Sequence, residues 1–557
     1  MMKTNRTGQA VSVTPAAGLR QRGYAALLTV VVLLLGVASI GLTHHRPRAN
    51  VAIADERTDH AMAEVKTALM GYAARQGVSR CSDPSNATAC QTELASTRRV
   101  GELPCPDMNN DGVAEASCAT ETLGRVPWQT LGIPDPRDSA GETLWYAVAK
   151  PFLNTASNPI SGANGLINSG TFGNLVVRGK DGMEVSGTVV AVVFSPGTPL
   201  AGQNRSRTES EFCATTARNE FRHLCAWNYL ETSLGVNNAA ANGPYSVGIP
   251  SDSFNDRLIY ISTAELMPML EMRVGQELKA LLAAYRANSE CGCYPWADSW
   301  KDSLGTADVG VNRGRFPSVA YPENWGDGKI PGLPKWITDN EWYNMAYYSG
   351  AKQETDEAGD RCYYCSANPT LTVQRVPAST ASDPASALIF MPGLPPAGVT
   401  RPNNHPTATS NATNETLANA LPAYLDDTLN NNKASCPGMS TEHANNTGGQ
   451  TFQVAPASCD TYVRPTASTI DRDRLHMIMT QPFSHCAPIA RTLLKNAPCQ
   501  DASADEVKDV CTVMVSRLVT CSNACRAAAP AMVEVPCRNQ SASDPRCAAP
   551  IAALKAC

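Results

Sequence analysis

The residues best suited to chemistry in this chain are its cysteines. The 557 residues include 20 cysteines, and none of them precedes Cys81. Exported proteins oxidise their thiols to disulfides, whereas the reducing cytosol keeps them free. We therefore expect an exported chain with local disulfides, although spacing alone does not give their connectivity. The closely spaced pairs are Cys81 and Cys90, Cys105 and Cys118, Cys213 and Cys225, Cys291 and Cys293, and Cys362 and Cys365.

Two of these pairs allow other chemistry. Cys291-Gly-Cys293 together with Cys362-Tyr-Tyr-Cys365 supplies four sulfur ligands, a common set in structural zinc sites. The second pair also has the spacing of a redox couple, but no thioredoxin-like pattern surrounds it. An oxidising compartment favours disulfides over both alternatives.

An oxygen-rich loop begins at Asp107. Asp107, Asn109 and Asp111 alternate and are followed by a glycine, as at the start of a calcium-binding loop. The twelfth position is Cys118 instead of the glutamate of an EF-hand, so Glu115 or a carboxylate from elsewhere must complete the coordination. The candidate cofactor is therefore calcium, and the alternative is a polar turn with Asx-type hydrogen bonds.

Little else in the chain suggests catalysis or nucleic-acid binding. The 8 histidines are scattered, and neither a Gly-x-Ser-x-Gly elbow nor a His-Glu-x-x-His helix occurs. The net charge of −5 gives no basic footprint for nucleic acid. A cluster of tryptophans either lines a carbohydrate or partner surface or fills the core of a loop-rich chain in which Phe is scarce. Its members are Trp296, Trp300, Trp325, Trp336 and Trp342.

The first element that must position these sites is an apolar segment near the N-terminus. No charged residue interrupts the stretch from Tyr24 to Leu42, which is long enough to cross a bilayer as a helix rising about 1.5 Å per residue. Basic residues, including Arg20 and Arg22, precede it and favour a cytoplasmic N-terminus. The bulk of the chain is then expected on the far side of the membrane.

The junction Arg22-Gly23-Tyr24 in front of this segment resembles that of the type IV prepilin family. The resemblance implies that prepilin peptidase cuts after Gly23, that Tyr24 becomes the methylated N-terminus, and that the apolar helix is kept. Two other interpretations stay open, a plain signal anchor and a secretory signal cut near Ser39.

The chain from Tyr24 to Gln76 reads as one long helix, apolar in its first half and amphipathic in its second. Pro47 predicts a kink near the middle, because proline removes a backbone donor. A helix half embedded in a membrane and half packed on a globular head is similar to the pilin stem. The stripe predicted to pack on the head comprises Ala61, Val65, Ala68, Leu69 and Tyr72.

The fifth position after the predicted cut is Leu28, where most pilins have a glutamate. In that family the carboxylate is thought to meet the N-terminal amine of the neighbouring subunit, a favourable pairing in a low-dielectric interior. K-type pseudopilins and some minor pilins also lack it and are placed at the filament tip. The resemblance therefore favours a tip or initiating subunit, and the alternative is that Leu28 simply belongs to a membrane anchor.

The rest of the chain repeats itself and is too long for one core, since single cores rarely exceed roughly 250 to 300 residues. A helix capped by Ser262 opens the second copy, and charged residues along it predict a surface helix packed on a sheet. Strands are predicted at 174–178, 184–194, 255–261 and 473–478. The repeated landmarks are Phe194-Ser-Pro-Gly197 with Phe390-Met-Pro-Gly393, Tyr229-Leu-Glu231 with Tyr424-Leu-Asp426, and Leu144-Trp-Tyr-Ala147 with Glu341-Trp-Tyr-Asn344.

These patterns predict an α+β fold with a long N-terminal pilin-type helix, two successive heads that each combine a helix with an antiparallel sheet, and a disulfide-rich C-terminal region. The expected parts are a prepilin leader (1–23), a membrane-spanning and stem helix (24–76), a first pilin-like head (77–262), a second, duplicated head (263–480) and a Cys-rich domain (481–557). The blocks Gly-x-Leu-Pro-Cys-Pro-Asp, Gly-Arg-x-Pro-Trp and Leu-Trp-Tyr-Ala resemble a group of large pilin-like proteins of bacterial envelopes, over residues 21–261.

The predicted function is a non-enzymatic minor pilin or pseudopilin, structural or adhesive, at the tip of a type IV pilus or a type II secretion pseudopilus. Its expected partners are other pilin or pseudopilin subunits, prepilin peptidase, the bacterial inner membrane, and a surface or carbohydrate ligand. The bulk of the chain is expected in the periplasm or at the cell surface. The alternative is a signal-anchored periplasmic binding protein or enzyme unrelated to filaments.

Overall fold

The protein is seen in a computed structural model that describes residues 54–77, 98–118, 121–153, 165–289 with short gaps, and parts of 294–350. Shorter described segments follow, chiefly 371–374, 382–395, 461–463 and 474–479. This part of the chain is a mixed α+β fold with several sheets. The predicted leader, membrane segment and Pro47 kink lie outside it, as does nearly all of 481–557. No helix within the described ranges combines the length and the apolar character needed to span a membrane.

Helix α1 covers residues 54–75, the end of the predicted long helix. Its predicted stripe is buried except for Ala68, which is half-buried, and Met62 and Ala73 extend it. The helix ends before Gly77, whose φ of +82° favours glycine and whose Cβ would lie 2.9 Å from the Val100 side chain. The second half of the predicted helix is thus confirmed, together with its end.

A mixed, largely antiparallel sheet follows α1. Its centre is the long strand β4, which pairs with β2 through Phe194 and Trp145 and with β8 through Phe194 and Leu258. Because β2 and β8 pair with the same residues of β4, they lie along its opposite edges. The strands of this half are β1 (Leu123–Arg125), β2 (Trp145–Val148), β3 (Leu175–Arg178), β4 (Glu184–Ser195), β5 (Ser210–Cys213), β6 (Arg218–Phe221), β7 (Tyr245–Ser246) and β8 (Arg257–Ser262). A short helix, α2 (Trp128–Leu131), follows β1.

The strand order of the first sheet is β1-β2-β4-β3-β7, with β8 on β4 and with β7 parallel to β3. The second sheet has the same plan, β9-β10-β14-β13-β15 with β16 on β14 and β15 parallel to β13. Its helices are α3 (Thr263–Asn288), α4 (Lys335–Asp339) and α5 (Trp342–Met345). The remaining strands are β9 (Arg313–Arg315), β10 (Tyr347–Gly350), β11 (Gln353–Glu354), β12 (Tyr364–Cys365), β13 (Leu371–Gln374), β14 (Ser382–Met391), β15 (Thr461–Val463) and β16 (Arg474–Met479).

The register of the two sheets corrects one predicted equivalence. Trp145 lies opposite Phe194, and the residue opposite Phe390 is Tyr347. Strand β2 therefore corresponds to β10, and the matching of Leu144-Trp-Tyr-Ala147 with Glu341-Trp-Tyr-Asn344 is wrong. Trp342 instead starts α5. The two Trp-Tyr pairs are alike in composition, but pairing partners decide which residues are equivalent.

Helix α3 begins where predicted, because Ser262 and Glu265 form a capping box. The helix packs on sheets as predicted, but two of the charged residues expected on its surface are buried, Glu271 fully and Glu277 nearly so. The helix contacts β4 and β8 of the first sheet and β14 and β16 of the second. Covered by sheets from both halves, it buries more of its circumference than a helix lying on one sheet.

The tryptophan cluster lies in the core. Trp296, Trp325, Trp336 and Trp342 are all at most 9% exposed, and Trp300 lies outside the described residues. Of the two predicted roles, core filling is observed for the four described members. Any ligand surface on this part of the molecule must use other side chains.

Candidate functional site

Two of the predicted cysteine pairs are bonded. Cys105 joins Cys118 with 5.7 Å between their Cα atoms, and Cys213 joins Cys225 with 5.2 Å. Both bonds close short loops in the first half of the chain. Cys365 ends β12, and the other members of the remaining pairs lie outside the described residues: Cys81, Cys90, Cys291, Cys293 and Cys362.

The first disulfide encloses the acidic loop that begins at Asp107. The backbone of Asp107 bonds in both directions to Arg125 of β1, at 2.9 and 2.7 Å. This close approach requires a glycine beside Arg125, since a Cβ on Gly124 would lie 2.8 Å from the Asp107 carbonyl oxygen. On its other side the loop is held by Gln129 of α2, whose side chain donates to the Asp111 carbonyl at 2.7 Å. The loop is therefore anchored to a strand, a helix and a disulfide.

The Asp107 carboxylate organises the backbone of this loop from within. Its Oδ1 accepts the Asn110 N–H at 2.6 Å and the Asp111 N–H at 3.3 Å, and its Oδ2 accepts the Gly112 N–H at 2.6 Å. The side chain is only 1% exposed. Burial raises the pKa of the Asp107 carboxyl, and the hydrogen bonds from Gly112 and Asn110 oppose that rise.

The remaining oxygens of the loop are used in a similar way. Asn109 Oδ1 accepts the Asp111 N–H at 3.0 Å, Asp111 Oδ1 accepts the Val113 N–H at 2.8 Å, and Glu115 Oε1 accepts the Met108 N–H at 3.3 Å. Calcium needs six to eight oxygen ligands, and no group of three or more His, Cys, Asp or Glu residues in the described ranges is arranged to hold a metal. The geometry is thus that of the Asx-type turn, and calcium binding by Asp107, Asn109 and Asp111 stays a prediction.

The second half has no equivalent loop in its described residues. Asp298 takes the place of Asp107, bonding through its backbone to Arg315 of β9 at 3.1 and 2.8 Å. Its buried carboxylate lies 3.2 Å from the Arg315 Nε. In the first half backbone N–H groups surround the Asp107 carboxylate, and in the second a guanidinium lies beside the Asp298 carboxylate.

The hairpin formed by β5 and β6 presents aromatic side chains to solvent. Phe212 is 58% exposed and Phe221 is 47% exposed. The register places them on one face, because Phe212 opposes Asn219 and Phe221 opposes Ser210. We call Phe212 and Phe221 the aromatic face. No periodic pattern in the sequence predicts this face.

The opposite face of the hairpin is polar and lies against the protein. Glu211 accepts the Trp227 indole N–H at 2.7 Å and an Asn228 amide N–H. The disulfide from Cys213 ties β5 to the segment after β6. The hairpin is therefore fixed with its apolar side outward, the reverse of the usual arrangement for a strand pair on a protein surface. Exposed aromatic pairs of this kind mark contact surfaces.

Comparison with known proteins assigns no function to these sites. No family model matches the chain, and no curated relative and no solved structure is significantly similar to it. Two features of the described residues therefore stand as candidate functional sites, the disulfide-closed acidic loop and the aromatic face.

Proposed function

We propose that this chain is a minor pilin or pseudopilin, a structural and adhesive subunit at the tip of a type IV pilus or a type II secretion pseudopilus. The observation that carries the proposal is the packing of α1. Met62, Val65, Leu69 and Ala73 are at most 1% exposed against the rest of the first half. The helix follows the predicted membrane segment along the chain. Its inner face is thus committed to the globular part, as in a pilin stem.

Ion pairs support the same role for α1. Arg257 at the start of β8 pairs with Asp55 at 2.8 Å and with Asp59 at 2.5 Å. Lys66 pairs with Glu265 at the start of α3 at 2.7 Å. Each pair is partly exposed and worth little alone. Together they link the first half's helix to its last strand and to the helix of the second half, so that force on a stem would reach both halves.

The repeated sheet plan supports two successive pilin-like heads. In each half a helix precedes a sheet in which a long central strand pairs with the strand that ends the unit, β8 or β16. In the proposed arrangement the first head continues the stem, and the second stands on α3. Two heads need more room than one, which a tip position offers better than a shaft position.

The aromatic face is the proposed adhesive contact of the first head. It is an exposed apolar surface on a hairpin held rigidly by a disulfide, and rigid aromatic side chains lose little conformational entropy on binding. A surface or carbohydrate ligand fits this chemistry. The subunit's other proposed partners are pilin or pseudopilin subunits through the N-terminal helix, prepilin peptidase and the inner membrane.

Processing of the N-terminus tests the proposal against its alternatives. Co-expression with a prepilin peptidase should give a mature chain that starts at N-methylated Tyr24, as read by mass spectrometry. Gly23→Leu should block the cut. The matched variant Ser39→Leu, which blocks a signal-peptidase cut near that residue, should be processed as the parent is.

The opposite pattern identifies the alternative function. A chain that keeps its leader in the parent, or that loses processing only in Ser39→Leu, is a signal-anchored or secreted periplasmic binding protein or enzyme. Either result would exclude the pilin role.

A further inference from the structure

A pair of carboxylates is buried in the first half, away from the acidic loop. Glu231 follows β6 and its short helical turns, and Asp256 directly precedes β8; they are 3% and 4% exposed. Each accepts the backbone N–H of the other, at 2.9 Å in both directions. Asn238 adds an amide N–H to Asp256 Oδ2 at 2.9 Å. The pair joins the two ends of the segment that carries β7.

The reciprocal bonds hold the two carboxylates side by side. Glu231 Oε1 and Asp256 Oδ1 are buried and receive no N–H donor from the described residues. The two side chains lie within hydrogen-bonding reach of each other. Two carboxylates that share a buried site cannot both be ionised at ordinary cost, because like charges repel strongly where water is excluded.

Cations on the neighbouring elements are engaged elsewhere. Arg205 lies 4.3 Å above the Tyr229 ring and pairs with Glu142 at 2.9 Å. Arg125 lies 4.0 Å above the same ring. Arg257, next to Asp256 in the chain, pairs with acidic residues of α1. Among the described residues, the groups seen to contact the pair are the side-chain amide of Asn238 and the backbone N–H groups of Glu231 and Asp256.

We propose that Glu231 and Asp256 share one proton, and that the protonated pair is an acid-stabilised clasp that holds the β7 segment on the first sheet. One proton leaves a single negative charge, which the N–H groups of Glu231, Asp256 and Asn238 stabilise. β7 is only Tyr245–Ser246 and pairs with β3 at the edge of the sheet. So short an edge strand depends on what closes its loop.

The repeat of the chain keeps an acidic residue at both positions. The landmark that ends in Glu231 returns with Asp426, and the residue before Arg257 of β8 returns as Asp473 before Arg474 of β16. Both acidic positions lie outside the described residues, although Tyr424 and Leu425 beside the first are buried like Tyr229 and Leu230. The two acidic positions thus recur beside landmarks that the halves share, which supports a common role.

The clasp has a defined dependence on pH. Burial, followed by the contact with Glu231, raises the pKa of Asp256 well above its ordinary value. A raised folded-state pKa contributes stability that is full below the unfolded value near 4 and is lost as the pH rises through the folded value. The equilibrium constant for local opening of the β7 segment should therefore increase as the pH rises from 5 to 8. The increase is about tenfold for each unit by which the folded pKa exceeds the unfolded one.

Hydrogen exchange of the full-length protein in detergent tests the clasp. Peptides spanning residues 238–256 are followed at pH 5 and pH 8, with correction for intrinsic exchange. We expect the parent to lose protection at pH 8, and Asp256→Asn to have nearly the same protection at both. An asparagine keeps one acceptor for the N–H groups and donates to Glu231 in place of the shared proton. Glu231→Gln should behave in the same way, which covers the case in which one variant does not fold.

A matched buried carboxylate supplies the control. Asp138 accepts the Ser195 hydroxyl and the Gly197 N–H, both at 2.9 Å, and two further backbone N–H groups. Asp138→Asn should lose local protection in its own loop equally at both pH values. If Asp256→Asn and Glu231→Gln behave like Asp138→Asn, the pair holds no proton. A second outcome would also overturn the proposal: Ca²⁺ at pH 8 restores in the parent the protection seen at pH 5, and has no such effect in Asp256→Asn. In that case a cation and not a proton holds the pair.

Discussion

The acidic loop gives the sharpest test of how its geometry is held. The change is Asp107→Asn, which keeps the size of the side chain but leaves one acceptor oxygen where the carboxylate has two. Asp107 receives N–H groups from Asn110, Asp111 and Gly112, and the closest of these bonds, those from Asn110 and Gly112, are both 2.6 Å long. They reach different oxygens. The amide must therefore turn its NH₂ group towards at least one backbone N–H.

The size of the expected effect follows from the hydrogen bonds that Asp107→Asn loses. A hydrogen bond to a charged acceptor contributes about 1.5–3 kcal/mol, and a buried donor left without a partner costs about 1–3 kcal/mol. We expect a loss of about 2 kcal/mol in local stability, which corresponds to roughly 30-fold faster exchange of the amides of residues 110–112 through local opening. The disulfide from Cys105 limits the effect to this loop.

The assay is hydrogen exchange of the peptide covering residues 107–118, with the disulfide reduced during the quench. Asp111→Asn is the matched control, because Asp111 is exposed and water can replace its contact with the Val113 N–H. Its amides should exchange no more than a few times faster. Equal exchange in Asp107→Asn and Asp111→Asn would refute the role given to the buried carboxylate.

The same measurement decides the calcium prediction. If the loop binds Ca²⁺ through Asp107, Asn109 and Asp111, then Ca²⁺ slows exchange in the parent, and both substitutions remove that slowing. If exchange is the same in Ca²⁺ and in chelator, the loop is a polar turn and the chain has no calcium site there.

Two further predictions concern the stem. Leu69→Ala removes most of a fully buried side chain on α1 and should lower the unfolding free energy of the first half by about 2–5 kcal/mol in denaturant titration. The control Glu64→Ala, at an exposed position on the same helix, should change that free energy by less than about 0.5 kcal/mol. Similar losses in both variants would mean that α1 does not pack on the head. Leu28→Glu restores the carboxylate that most pilins have, and this carboxylate could pair with the N-terminal amine of a neighbouring subunit. Immunogold labelling of filaments should then show the subunit along the shaft instead of at the tip. Unchanged labelling would mean that Leu28 does not decide the position of the subunit.

Local signals were enough for much of the fold. The capping box of Ser262 and Glu265 placed the start of α3, and the strands predicted at 174–178 and 184–194 are β3 and β4. The last strands of both halves were found from apolar runs after Asp256 and Asp473. The disulfides Cys105–Cys118 and Cys213–Cys225 were predicted as close pairs, since short loops bring their ends together cheaply.

Other features depended on partners that are distant in sequence. The match of β2 with β10 was missed, because the residues opposite Trp145 and Tyr347 lie on the central strands and composition alone suggested Trp342. Glu271 reads as a surface residue in the sequence, but the Ser169 hydroxyl donates to it at 2.6 Å in the buried contact between the two halves. The aromatic face was missed because exposure depends on how the hairpin is held.

By itself, the sequence indicated which cysteines form close pairs, the amphipathic helix that covers residues 54–75, and the repeated units, because each is written in residue types at short, regular spacing. Only the tertiary structure decided which carboxylates are buried. The Asp107 carboxylate lies among backbone N–H groups, and the Asp298 carboxylate lies beside Arg315. Glu231 and Asp256 met each other, because the two ends of the β7 segment are brought together on one sheet. The charge and hydrogen bonding of a buried carboxyl are set by its neighbours in space, which spacing along the chain does not specify.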